Sequence, residues 1–183
     1  MPLSLSETSY LIADALRNHD VRAMRRINDR CVEETAIKFG TNTYLFALVS
    51  YVLSKIISKP RYFTQEKSKA NIAKILLYLK QCEEFAKSAN YTQLEKCQGK
   101  ILAAIEKIDD KDRRFVKGIL QKGRLKTAAT LYAQGISLGN AAEITGIDKR
   151  ELLAYAGQTM MFDRVKEKKG IEERMKDLRE IFS

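Results

Sequence analysis

The side chains best suited to bind a polyanion lie between Lys111 and Lys126. This segment contains seven basic residues and one acid, so it carries +6 of the chain's net charge of +10. Clustered Lys and Arg side chains neutralise phosphates, which is the sequence-independent part of nucleic-acid binding. The segment therefore predicts contacts with double-stranded DNA. The residues expected to make these contacts are Arg113, Arg114, Lys117, Lys122, Arg124 and Lys126.

The segment from Leu138 to Gly157 has the spacing of a DNA-binding helix-turn-helix. Ser137 can cap a first short helix, Gly146 can turn with a positive φ, and Asp148 can cap a second helix. The residues expected to hold the two helices together are Ala142, Gly146, Ile147 and Leu152. The alternative interpretation is an ordinary helical corner, because small and apolar residues recur at such spacings by chance.

The outward face of the second predicted helix decides what this motif could bind. In the usual docking that helix enters the major groove, so Lys149 and Arg150 would lie nearest the bases. The same face also carries Glu151, Leu153 and Ala154, and the last two cannot hydrogen-bond a base edge. Two interpretations therefore stay open. One is a DNA-binding transcriptional regulator, and the other is a protein-interaction or scaffold module that keeps the shape without reading DNA.

Catalytic and metal-binding chemistry has few candidate residues. His19 is the only histidine, so a catalytic triad or a multi-histidine zinc site would have to be built around it alone. Asp109, Asp110 and Asp112 could bind a cation, but such residues more often end one helix and favour the start of the next. The chain has no glycine-rich phosphate-binding motif. We therefore expect no enzymatic activity, no metal, no cofactor and no small-molecule substrate.

The elements that position these residues are expected to be helices, because apolar residues recur at helical spacing throughout the chain. The sequence predicts an all-α fold, with a helical bundle body and a C-terminal helix-turn-helix module. Gly118 and Gly123 should weaken the basic segment as a helix, and a separate helix is expected from Arg124 to Ala133. The other predicted helix starts are Ser4, Asp20, Asn42 or Thr43, Thr64 and Thr92.

The compartment is predicted from the thiols and the apolar segments. Cys31, Cys82 and Cys97 are far apart and form no C-x-x-C pair, which is typical of small buried thiols in a reducing cytoplasm. The N-terminus lacks the pattern of a signal peptide. The apolar stretch from Tyr44 to Ile57 is too short to span a bilayer and is expected to be a buried core helix. We therefore expect a cytoplasmic protein with no membrane partner.

The predicted domain organisation has three parts. Residues 1–110 form the helical bundle, residues 111–169 form the module with its basic flanks, and residues 170–183 form a C-terminal amphipathic helix. Such a short helix needs a surface to dock on. It either folds back onto its own body or pairs with a second copy, which would make the protein a homodimer. Its apolar seam consists of Ile171, Met175, Leu178 and Phe182.

The C-terminal part resembles two groups of known proteins. From Ile108 to about Met160, the basic helix and the string LKTAATLYAQGISLGNAAEITGIDKRELLAYAGQT resemble a family of archaeal proteins with a helical N-terminal body and a C-terminal helix-turn-helix. The core of that string, SLGNAAEITGIDKRELL, is similar to the helix-turn-helix of small antitoxin-like regulators in prokaryotes. The resemblance covers roughly the last 75 residues. It implies a fold and a DNA-binding ancestry, and it implies no particular substrate or operator.

Overall fold

The computed structural model describes residues 4–108, 113–161 and 179, with the side chains of residues 113–117 outside the description. Every regular element in this part of the chain is an α-helix, which confirms the predicted all-α class. The helices are α1 (Leu5–Arg17), α2 (Val21–Lys38), α3 (Thr41–Ile57), α4 (Arg61–Thr64), α5 (Glu66–Lys87), α6 (Tyr91–Glu106), α7 (Arg113–Ala133), α8 (Leu138–Thr145) and α9 (Lys149–Gln158). Residues 170–178 and 180–183 of the predicted C-terminal helix lie outside the described residues.

Helix α3 lies at the centre of the fold and contacts α1, α2, α6, α7 and α8. Its residues from Phe46 to Val49 have no exposed surface, and neither have Val52 and Leu53. This confirms that the apolar stretch from Tyr44 to Ile57 is a buried core helix. Helices α5 and α6, which follow each other in the chain, pack against each other as a hairpin. In the part of the chain that the structure describes, no helix is both long and apolar enough to cross a membrane.

Capping hydrogen bonds confirm two of the predicted helix starts. Ser4 and Glu7 form a capping box at the start of α1, and the Asp20 carboxylate accepts the N–H of Ala23 at 2.8 Å. The predicted start at Asn42 or Thr43 is wrong, because α3 already begins at Thr41 after an extended Gly40. Helix α6 begins one residue earlier than predicted, since Asn90 is its N-cap.

The predicted N-cap at Thr64 is also wrong, because Thr64 is the last residue of the short helix α4. Its hydroxyl donates to the carbonyl of Arg61 at 3.0 Å instead of accepting an N–H from the next helix. Pro60 has a φ of −53°, which suits a helix start, so the chain makes one helical turn before α5. Helix α5 then begins at Glu66 without a side-chain cap.

The basic segment and the predicted helix from Arg124 form one continuous helix, α7, which corrects the predicted separation. The reason is tertiary packing at Gly123. A Cβ added there would lie 2.8 Å from Cδ1 of Tyr51 and 3.0 Å from Cδ1 of Leu48, both on α3. The missing side chain lets α7 and α3 approach closely, and this packing outweighs the low helix propensity of glycine.

Candidate nucleic-acid interface

The turn between α8 and α9 has the local geometry that the sequence predicts. The hydroxyl of Ser137 accepts the N–H of Asn140 at 3.1 Å, and Gly146 turns the chain with a φ of 67°. The Asp148 carboxylate accepts two N–H groups of the first turn of α9, from Arg150 at 2.8 Å and from Glu151 at 3.3 Å. Both predicted N-caps and the predicted turn glycine are thereby confirmed.

Apolar packing holds α8 and α9 against α7, as contacts between all three helices show. Ala142, Ile147 and Leu152, which are three of the four residues predicted to hold the motif, are buried. The N–H of Ile147 also donates to the carbonyl of Ala142 at 3.2 Å and so closes the end of α8. Gly146, the fourth, is exposed and supplies the positive φ.

One buried tyrosine connects α8 to the central helix. The Tyr44 hydroxyl, on α3, donates to the carbonyl of Thr145 at 3.3 Å. Burial raises the pKa of Tyr44 to about 12, and the nearby Arg124 guanidinium opposes this rise. Arg124 lies at the end of α8, where one guanidinium nitrogen is 3.9 Å from the position of a Cβ at Gly146. A cation is favourable there because the carbonyl end of a helix carries partial negative charge.

The two basic residues at the start of α9 have different surroundings. The Lys149 ammonium lies 3.9 Å from the position of a Cβ at Gly139, so its side chain turns back toward the first turn of α8. Arg150 is exposed. The Glu151 carboxylate accepts the amide N–H groups of Gln121, on α7, at 3.3 and 3.5 Å. This bond holds the first turn of α9 against α7 and gives the carboxylate a partner within the protein.

The rest of the outward face of α9 is mostly apolar, and the exposed Gln158 at the end of the helix is its polar residue. Leu153 is 46% exposed, Ala154 and Gly157 are also exposed, and Met160, just beyond the helix, is 67% exposed. None of these side chains can donate a hydrogen bond to a base edge or to a phosphate. Beyond Arg150, this face therefore offers apolar contact and little charge.

Two lysines lie over the ring of Tyr51, Lys55 of α3 and Lys126 of α7, and Arg25 of α2 lies near enough to Lys55 for their charges to interact. We call these three cations the Tyr51 cluster. The ammonium groups of Lys55 and Lys126 lie 5.3 and 5.5 Å from the centre of the Tyr51 ring, within the range of cation–π attraction. The pKa of Lys55 is lowered first by burial and then by the positive charges of Arg25 and Lys126. Like charges are thus crowded at this place.

A small polar groove of about 120 Å³ adjoins the Tyr51 cluster between α2, α3 and α7. Asp29 lines it, and burial raises the pKa of this carboxyl, while Lys126 and Arg25 oppose the rise and Glu33 adds to it. The groove is also lined by Gln134, whose Oε1 is buried and has no hydrogen-bond partner among the described residues. The carboxylates offset only part of the positive charge, because Arg22, Arg26 and Arg30 are exposed on the same helix as Asp29.

Of the eight residues predicted to bind nucleic acid, the five whose side chains the structure describes do not share one surface. Arg124 and Lys126 are two residues apart on α7, so they point to nearly opposite sides of the helix. Lys122 is exposed one turn before Lys126 and lies on its side of the helix. Lys149 and Arg150 lie at the start of α9, on another element. The side chains of Arg113, Arg114 and Lys117 lie outside the described residues.

Sequence reasoning missed Arg25 and Lys55 as members of a basic site. A partial signal existed for Lys55, because it lies four residues after Tyr51 on one helix and therefore on the same side. No comparable signal existed for Arg25, since its approach to Lys55 depends on how α2 packs against α3. Thirty positions separate Arg25 from Lys55, so the juxtaposition arises only in the folded chain.

Of the candidate catalytic and metal-binding residues, the structure describes only His19. His19 is exposed in a turn with a φ of 52°, and its ring centre lies 4.0 Å from that of Phe63. Asp109, Asp110 and Asp112 lie outside the described residues. Among the residues that are described, no three His, Cys, Asp or Glu side chains are arranged to hold a metal ion.

Comparison with known proteins finds no matching family model, no similar curated protein and no similar solved structure. The resemblance carried by the string from Leu125 to Thr159 therefore stays a prediction.

Proposed function

We propose that this protein binds duplex DNA through the phosphate backbone, with little dependence on base sequence, on a surface formed by α2, α3 and α7. The observation that carries the proposal is the grouping of three cations from three helices: Lys55 and Lys126 over the ring of Tyr51, and Arg25 near Lys55. Three like charges in close proximity repel each other, and a bound polyanion removes that cost. The surface thus favours phosphate over a neutral ligand.

The arginines of α2 extend this surface. Arg22, Arg26 and Arg30 are exposed and spaced by four residues, which is about 6 Å along a helix axis. They form one row on the outside of α2, next to the row that contains Arg25. A row of guanidinium groups can follow successive phosphates, and each can bind a phosphate with two hydrogen bonds. Together with the Tyr51 cluster, this row makes a basic surface of several contacts.

Base reading through α9 is the weaker part of the proposal. If the α8–α9 turn acts as a DNA-binding helix-turn-helix, Arg150 is the residue best exposed to reach a base edge. Lys149 turns back toward α8, Glu151 is bound to Gln121, and Leu153 contributes only apolar contact. We therefore expect binding that tolerates sequence changes, and a regulatory role would require an additional source of specificity.

The test is a salt titration of binding to a random-sequence duplex, measured by fluorescence anisotropy from about 50 to 200 mM salt. In one variant, Arg25, Lys55 and Lys126 are changed to Gln. If each cation neutralises one phosphate, the slope of log affinity against log salt should flatten by about 2.7. The matched control is a change of three exposed lysines of the α5–α6 hairpin to Gln, which removes equal charge elsewhere. These lysines are Lys74, Lys80 and Lys96.

The proposal fails if the wild-type protein does not bind the duplex at the lowest salt concentration. It also fails if the cluster variant and the control variant have equal slopes, because net charge alone would then explain the binding. A change of Arg113, Arg114 and Lys117 to Ala tests the sequence-predicted basic segment separately. A flattened slope in that variant alone would move the interface to the start of α7.

The exposed apolar face of α9 favours a second candidate function, a protein-interaction module. Leu153 on α9 and Met160 just beyond it are large apolar side chains that are exposed. Association through such a face would depend little on salt, in contrast to phosphate binding. A partner complex that survives high salt and is lost on Leu153→Asp, with DNA binding unchanged, would support this second function.

A further inference from the structure

The α5–α6 hairpin brings together two cysteines that are far apart in the sequence. Cys82 on α5 has no exposed surface, and Cys97 on α6 is 2% exposed. The Cys97 thiol donates to the backbone carbonyl of Tyr78 at 3.2 Å. Tyr78 lies four residues before Cys82 on α5, and a helical side chain leans toward the preceding turn. The Cys97 sulfur therefore lies within one turn of Cys82 on the facing helix, where the two thiols are hydrogen-bonded to each other.

We propose that Cys82 and Cys97 are a modification site that forms an intrachain disulfide when the protein reacts with a hydroperoxide. One thiolate attacks a peroxide oxygen, giving a sulfenic acid and releasing water after proton transfer. The second thiol attacks that sulfur, forms the S–S bond and expels a second water. The pair loses two electrons and two protons, and the peroxide is reduced to two waters when it is hydrogen peroxide.

The surroundings assign a different role to each thiol. The pKa of Cys97 is lowered by a hydrogen bond from the Cys82 thiol and by the Lys100 ammonium, against the effect of burial. The pKa of Cys82 is raised, chiefly because its thiol donates this hydrogen bond and also because it is buried. The thiolate is the nucleophile, so Cys97 attacks the peroxide and Cys82 resolves the sulfenic acid.

The third cysteine provides an internal control for burial. Cys31, on α2, is also buried, and burial together with the nearby Glu34 raises its pKa to about 12. It therefore has little thiolate character, and it lies on a helix outside the α5–α6 hairpin. If a disulfide formed merely by random collision in an opened chain, Cys31 would take part in it. If the folded hairpin directs the reaction, Cys31 stays a thiol.

The experiment uses the full chain treated with hydrogen peroxide, followed by alkylation of the remaining thiols and mass spectrometry of the intact protein and its peptides. We expect one alkylated cysteine, Cys31, and a peptide in which Cys82 and Cys97 are joined. The closed loop should raise the melting temperature by about 6–12 °C, and a dithiol reductant should reverse the rise. In Cys82→Ser, a sulfenic-acid trapping reagent should label Cys97, whereas Cys31→Ser should still form the disulfide.

Burial slows access of the oxidant, so the reaction is repeated in urea below the unfolding transition, where the hairpin opens locally. Cys82→Ala and Cys97→Ala provide variants without a buried hydroxyl, in case a serine variant does not fold. A disulfide that contains Cys31 would overturn the proposal. So would three alkylated cysteines after oxidation under both conditions, because two thiols that are hydrogen-bonded to each other should then have reacted.

Discussion

The close approach of α7 and α3 at Gly123 can be tested with one methyl group. In Gly123→Ala, the new Cβ would lie 2.8 Å from a ring carbon of Tyr51 and 3.0 Å from a methyl carbon of Leu48. The first distance is far below ordinary contact, so the ring or the helix must shift, and overpacking of this kind costs about 1–3 kcal/mol. Alanine also improves helix propensity by about 1 kcal/mol. We therefore expect the free energy of unfolding to fall by about 0–2 kcal/mol.

The same helix supplies the matched control. At Gly118 a Cβ would meet no described atom within 4 Å, so Gly118→Ala should add only the propensity gain of about 1 kcal/mol. The gain in helix propensity cancels between the two variants. Their difference in the free energy of unfolding, about 1–3 kcal/mol, therefore isolates the steric cost at Gly123. Urea denaturation measures it directly, and the melting temperatures should differ by about 2–12 °C.

Equal stability of Gly123→Ala and Gly118→Ala would refute the reasoning. It would mean that α7 does not approach α3 at Gly123 as closely as described. The position of Lys126 beside Tyr51 depends on the same packing. The proposed phosphate-binding surface would then lose its central contact, so this stability measurement also bears on function.

Three further predictions concern the packing of the module and one helix cap. Ala142→Leu should overfill the contact between α8 and α9 and cost about 1–3 kcal/mol in urea denaturation, and an unchanged midpoint would show that the helices do not cross there. Tyr44→Phe removes the bond to the Thr145 carbonyl and should cost about 0.5–1.5 kcal/mol, whereas equal midpoints would mean that this bond does not tie α3 to α8. Hydrogen bonds from the backbone and the hydroxyl of Ser4 lower the pKa of Glu7 in the folded state. The contribution of Glu7 to folding stability is therefore present above its unfolded-state pKa and is lost as pH falls through its folded-state pKa. Glu7→Gln should therefore lose less stability than wild type on acidification across that window, and parallel stability curves would contradict this.

The sequence alone determined the features whose causes lie within a few residues. Apolar residues at helical spacing predicted the all-α class, and the apolar run from Tyr44 to Ile57 predicted the core helix. The side chains of Ser137 and Asp148 reach only their own first turns, so the starts of α8 and α9 could be read from the chain. Where a nearby residue offered a competing start, as Pro60 did before Thr64, the local reading was wrong.

Only the tertiary structure decided which distant residues meet. The continuity of α7 through Gly123 depends on the surface of α3, so the propensity of glycine could not predict it. The Tyr51 cluster joins three helices, and the meeting of Cys82 with Cys97 depends on how α5 aligns with α6. Local periodicity in the sequence specifies which face of each helix is apolar. Which helices pack together, and in what orientation, is set by the packing of their whole surfaces. For that reason the basic segment was visible in the sequence, while the approach of Lys126 to Tyr51 of α3 was not.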